Sequence, residues 1–174
     1  MRWLLFLLAS TICTGCEFPS VGGPEPVPGN AYCNSVSAWP SSAVDVEEDV
    51  FALVNQRRSQ GANCGGDNFS ATAPLEYDGS LICAARKHSQ DMVDRGFFDH
   101  TNPDGDGPGA RAGFADFSNS FIGENIAAGQ RSPSEVMSSW MGSAGHCRNI
   151  MNSDYNVIGI GFIDNHWTQV FGKR

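Results

Sequence analysis

An α+β fold is predicted, with helices packed on both sides of a small antiparallel sheet. Three observations carry that expectation. Segments near 45–59, 78–95 and 133–144 place apolar residues at helical spacing behind capping residues. Val157–Ile163 and His166–Phe171 read as strands, and the two-residue turn Asp164-Asn165 joins them as an antiparallel hairpin. The 174 residues are enough for one domain with a sizeable core.

The first helix is expected over about 45–59. Asp45 and Glu48 form a capping pair, and Val46, Val50, Leu53 and Val54 form its apolar stripe. Arg57 and Arg58 lie near its end, where they complement the helix dipole, and Gly61 can terminate it. Residues 61–74 read as a loop, and Leu75-Glu76-Tyr77 as a short extended piece. Asp78 caps a second helix with Leu81, Ala85, His88 and Met92 on one face and Gly96 past its end. Residues 111–115 read as a helical turn, and Phe121–Ile126 as a short segment with a polar centre. Ser132-Pro133-Ser134-Glu135 is a strong helix start: a serine cap, proline at the first position and glutamate at the third. That helix buries Val136, Met137, Trp140 and Met141 and is expected to end at Gly145. In the hairpin, Gly159 and Gly161 share one face, which lets another element or a ligand approach closely.

Net charge is −8 and no basic run stands out, so nucleic acid is excluded as a partner. Residues 1–16 read as a signal segment: Arg2, then the apolar run 3–9, too short to span a bilayer permanently. Its end, Cys13-Thr14-Gly15-Cys16, resembles a bacterial lipoprotein signal that would lipidate Cys16. Simple secretion is the alternative. Residues 17–32 form a Pro/Gly-rich tether, and 33–174 the domain. The expected location is extracytoplasmic: lipid-anchored at the bacterial envelope (the outer membrane in a Gram-negative cell), or secreted. A monomer is expected. An exported domain with Cys33, Cys64, Cys83 and Cys147 suggests two disulfides, with three connectivities open. The pairing expected is Cys64–Cys83 and Cys33–Cys147, which would pin the N-terminal strap to the stretch around His146. Asn102–Gly109 imitates the start of a calcium loop, but Gly113 stands where the bidentate glutamate is needed, so a turn-rich acidic loop is expected.

Several stretches together resemble a known family. They are Ala84–Met92, Phe97-Phe98-Asp99-His100, Gly123-Glu124-Asn125-Ile126, Trp140–Ser143 with Gly145-His146, and Val157–Gly161. In this order they resemble the bacterial form of the CAP superfamily: cysteine-rich secretory proteins, antigen 5 and pathogenesis-related class 1 proteins. The resemblance implies a three-layer α-β-α sandwich whose cleft is lined by two histidines and two glutamates. By motif these are His100, His146 and Glu124, while Ser143 stands where the second glutamate is expected.

Two functions follow. As a binding module, the domain would take a lipid, sterol or extended peptide in this cleft, and no cofactor would be required. As a metal-dependent hydrolase, it would hold zinc on His100 and His146 and use Glu124 as base. The residue at 143 weighs against the second, because it removes a carboxylate. A Ser143 nucleophile beside His146 lacks the strand-turn-helix setting of a hydrolase serine. His88, Trp140 and Trp167 read as core, His166 as exposed, and Asn125 as a residue satisfying backbone groups near the cleft.

Overall fold

The computed structural model describes residues 26–119 and 121–174. The signal segment, Cys16 and most of the tether lie outside the described residues. Among the described residues no helix is long and apolar enough to cross a membrane.

The helix α1 spans Ser41–Gln60, one turn longer at its start than predicted. Pro40 lies just outside it in an extended conformation, and its carbonyl accepts from the N–H groups of Ala43 and Val44 at 2.9 and 3.1 Å. Asp45 is therefore inside the helix and does not cap it. Its buried stripe contains Val50 and Val54 together with Glu47 and Arg58. A charge is tolerated there because each finds partners. Arg58 is fully buried and donates to the carbonyls of Ala73, Ile150, Asn152 and Tyr155. Burial lowers its pKa to about 10. Glu47 pairs with Arg86 and accepts from the Phe162 N–H at 2.9 Å.

The predicted loop after α1 contains a small hairpin, β1 (Ala62–Cys64) and β2 (Asp67–Phe69), turned by Gly65 and Gly66 at positive φ. β3 is Glu76–Tyr77. α2 spans Gly79–Arg95, with Asp78 Oδ1 accepting from the Leu81 N–H at 3.0 Å and Gly96 left-handed at φ 66. α3 is Pro108–Phe114, β4 Ile122–Ala128, α4 Pro133–Gly142 and α5 Ala144–Met151. The predicted stop at Gly145 moves to Ser143, whose extended backbone (φ −100, ψ 123) breaks the chain between α4 and α5. Gly145 lies within α5.

β5 (Val157–Ile163) and β6 (His166–Gly172) form the predicted hairpin, with Asp164 and Asn165 at positive φ in its turn. The four-stranded sheet has the order β3-β5-β6-β4. Its two long pairings are antiparallel, and the short β3 joins β5 in parallel.

Strand alternation divides the core. Ile158, Ile160, Trp167 and Phe171 face α1, α4 and α5, meeting Val50, Val54, Trp140 and Ile150. Val157 and Val170 face α2 and α3, meeting Leu81, Ala85 and Ala112. This is an α-β-α sandwich. The glycine face works as read: a Cβ on Gly159 would lie 2.0 Å from the Leu81 carbonyl carbon, and one on Gly161 2.4 Å from that of Ala85.

The disulfides correct the expected pairing. They are Cys33–Cys83 and Cys64–Cys147, with Cα separations of 5.6 and 5.4 Å. Cys83 is on α2, where it packs with Cys33 and Val36. Cys147 belongs to the core on the other side of the sheet, together with Cys64. The sheet thus stands between the partners the sequence reading had joined.

Candidate functional site

The site forms where the loop after α2 passes the edge strand β4 and meets the junction of α4 and α5. Gly96 turns the chain out of α2. His88 then holds the loop by donating from Nε2 to the Asp99 carbonyl at 3.0 Å. Its ring is fully buried and its Nδ1 has no partner among the described residues. Burial pushes its pKa down to about 4, so it is neutral at pH 7. The core reading of His88 stands, with a bond to the loop added.

His100 follows on that loop. Its Nδ1–H donates to Glu124 Oε1 at 2.8 Å. The other carboxylate oxygen, Oε2, accepts from Arg111 at 2.6 Å. Arg111 lies on α3 and also donates to the His100 carbonyl at 2.9 Å and the Asp106 carbonyl at 2.6 Å. It thus fixes the loop at two points. The hydrogen bond to Glu124 raises the His100 pKa. The Glu124 side chain is 2 % exposed and the His100 side chain 51 %. The carboxylate is the buried foot of the site and the imidazole its open end.

Asn125 points to the opposite face of β4, as alternation requires. Its Nδ2 donates to the His146 carbonyl at 3.2 Å and to Gln169 Oε1 at 3.1 Å. Asn149, on α5, donates to the Glu124 carbonyl at 3.1 Å and to Asn125 Oδ1 at 2.9 Å. Trp140 Nε1 donates to the Ile126 carbonyl at 3.2 Å. These bonds clip α4 and α5 to the edge of β4 that β6 does not cover. The expectation that Asn125 satisfies backbone groups is met at the His146 carbonyl.

His146 stands half-buried on α5. Burial lowers its pKa first, and the nearby His100 charge adds to that. Ser143 spends its backbone on the helix junction and makes no side-chain cap. Among the described residues no hydrogen bond joins its hydroxyl to His146. His100, Ser143 and His146 line a cleft of about 460 Å³, along with Phe98, Trp140 and Ile126–Ala128. Glu124 lies under this cleft, not on its wall, because its side chain faces the α2–α3 side of β4.

No group of three or more His, Cys, Asp or Glu is placed to hold a metal among the described residues. His100 and His146 offer two imidazoles, and the carboxylate that would add a third ligand is committed to Arg111. That donor set falls short of the three protein ligands of a catalytic zinc site. In the acidic loop, Asn102 Oδ1 accepts from the N–H groups of Asp104 and Asp106, and Asp104 pairs with Arg95. It is a closed turn, as expected.

Arg111 is the residue that sequence reasoning missed. Nothing local marks it within Pro108–Phe114. The available signal was indirect: a carboxylate inside an apolar strand needs a cation, and cations are few in this chain.

Comparisons with known proteins agree with this architecture. The sequence profile of the cysteine-rich secretory protein family matches residues 51–171. The uncharacterized protein YkwD of Bacillus subtilis is 38% identical over 141 residues, covering 79% of this chain and 51% of YkwD. The chain thus spans about half the length of that relative. An extracellular protein containing an SCP domain from Bacillus anthracis superposes with a TM-score of 0.67 at 28% identity, covering 75% of this chain and 41% of that one. An outer surface protein of Borrelia burgdorferi shares the fold, with a TM-score of 0.62 at 24% identity and coverage of 75% and 96%.

Proposed function

The chain belongs to the cysteine-rich secretory protein (CAP) family, and we infer that it is an extracytoplasmic binding module whose cleft takes an extended ligand. One observation carries this reading. The buried charges of the site neutralise one another, while the cleft wall presents aromatic, hydroxyl and imidazole groups with a single carboxylate, Asp99. Glu124 has an acceptor bond on each oxygen, so it holds His100 in place and has no lone oxygen directed at a substrate water. That favours binding over the hydrolase reading. The ligand classes suited to such a cleft are a lipid, a sterol or a peptide.

Lipidation at Cys16, followed by the tether, would hold the domain at the envelope surface. The relatives described as extracellular or outer-surface proteins support that placement. Metabolic labelling with a fatty-acid analogue tests the anchor: the label is expected on the wild type and absent from Cys16→Ser.

Binding is tested by titrating the protein with palmitate, cholesterol and a neutral tetrapeptide. At least one is expected to bind, and Ser143→Trp, which fills the cleft, should weaken it by tenfold or more. Binding of none, or equal binding by the folded variant, overturns the reading. Glu124→Gln should retain capture if it remains folded.

A further inference from the structure

The cleft does not end at Trp140. A second cavity of about 400 Å³ is lined by Gly129, Gln130, Glu135, Ser138 and Ser139. It shares Gln130 and Ser139 with the cleft, so the two form one groove along α4. From Glu135 to Ser143 the helix rises about 12 Å. An extended chain advances about 3.3 Å per residue, so this length holds three to four residues.

The floor of the groove has hydrogen-bonding groups suited to a polypeptide. The Glu124 and Ile126 carbonyls point away from β6, because Asn149 and Trp140 reach them from α5 and α4. Antiparallel alternation gives Ala128 the same orientation. Ala128 is exposed and lines the cleft, so its N–H and C=O face the groove. Beside it, the buried Gln130 Oε1 has no hydrogen-bond partner among the described residues. A donor from a ligand would satisfy it.

The charges lining the groove select the sequence of that chain. Asp99 lies in the cleft and Glu135 in its extension, and among the described residues no Lys or Arg lines either cavity. Glu135 spends one oxygen on the Arg131 N–H at 2.7 Å and remains solvent-exposed. Resting on the binding reading above, we propose that the groove takes an extended peptide of three to four residues, its backbone beside Ala128 and a basic side chain at Glu135.

The test uses fluorescence anisotropy of the full chain with labelled glycine tetrapeptides carrying one lysine, one norleucine or one glutamate, and with labelled chitotetraose. The lysine peptide is expected to bind about threefold tighter than the norleucine peptide at low salt, a modest margin because Glu135 is exposed. Glu135→Gln keeps the cap acceptor and should abolish that margin. Ser139→Trp, on the exposed side of α4, should abolish peptide binding without unfolding the domain. Peptides that bind with no lysine preference, a margin unchanged in Glu135→Gln, or tighter binding of chitotetraose overturn the proposal. If no peptide binds while palmitate or cholesterol binds and is blocked by Ser143→Trp, this proposal fails and the binding reading survives. If nothing binds, both fail.

Discussion

Glu124 Oε1 lies 2.8 Å from His100 Nδ1, so the carboxylate sets which nitrogen of the ring faces the cleft. The same carboxylate neutralises Arg111, which is 2 % exposed. Glu124→Gln keeps an acceptor near His100 but leaves Arg111 buried without a counter-charge. A loss of about 3 kcal/mol in unfolding free energy is expected. Denaturant unfolding at pH 7 measures it, and a loss below 1 kcal/mol would show that water already compensates Arg111.

Acid should destabilise the fold through His88. Its folded pKa, about 4, is below the unfolded value of 6.5, because burial disfavours the charged ring. The stability it contributes is complete above pH 6.5 and is lost as pH falls through 4. The loss approaches about 3 kcal/mol. His100 works in the opposite sense: its pKa is raised, so its contribution is present below 6.5 and fades as pH rises through the folded value. It is half exposed, so the effect is small. Unfolding measured between pH 7 and 4 should show a decline that is distinctly shallower in His88→Gln. Identical slopes would contradict the assignment to His88.

The two disulfides should behave differently. Cys64–Cys147 fastens β1 to α5, the helix of His146 and Asn149. Replacing both cysteines by alanine should cost about 2–5 kcal/mol and also weaken ligand capture. Removing Cys33–Cys83 frees the N-terminal strap on the far side of the sheet. It should cost stability in the same range and leave capture intact. Peptide mapping without reduction checks the pairing directly, and a Cys64–Cys83 peptide would refute it.

Gly159→Val tests the contact between α2 and the sheet. The first added carbon would meet the Leu81 backbone at 2.0 Å, and backbone cannot rotate away as a side chain can. A cost of about 3 kcal/mol is expected from thermal unfolding, at the upper end for overpacking. An unchanged Tm would mean that α2 shifts freely on the sheet.

Much of the framework was legible in sequence because it is set locally. Asp78 and Ser132 accept from the N–H three residues on, so their helix starts could be read from neighbours alone. Asp164 and Asn165 tolerate positive φ and make the hairpin. Gly159 and Gly161 announced a close approach by their spacing. The start of α1 was misplaced because Pro40 caps it with a carbonyl and not with a side chain. Asp45 offered a better-looking signal that the chain does not use.

The candidate site divides in the same way. The resemblance of its motifs to the family picked out His100, Glu124, Ser143 and His146. Tertiary structure decided what each touches. Alternation along β4 turned Glu124 under the cleft and Asn125 toward α5, and Arg111 arrived from a helix with no local signature. The disulfide pairing was likewise decided only by which layer each cysteine occupies. Local capping, turn chemistry and periodicity act over a few residues and leave their mark in order along the chain. The partner of a buried charge, the mate of a cysteine and the side of a sheet depend on how distant elements pack, and no short stretch of sequence encodes that.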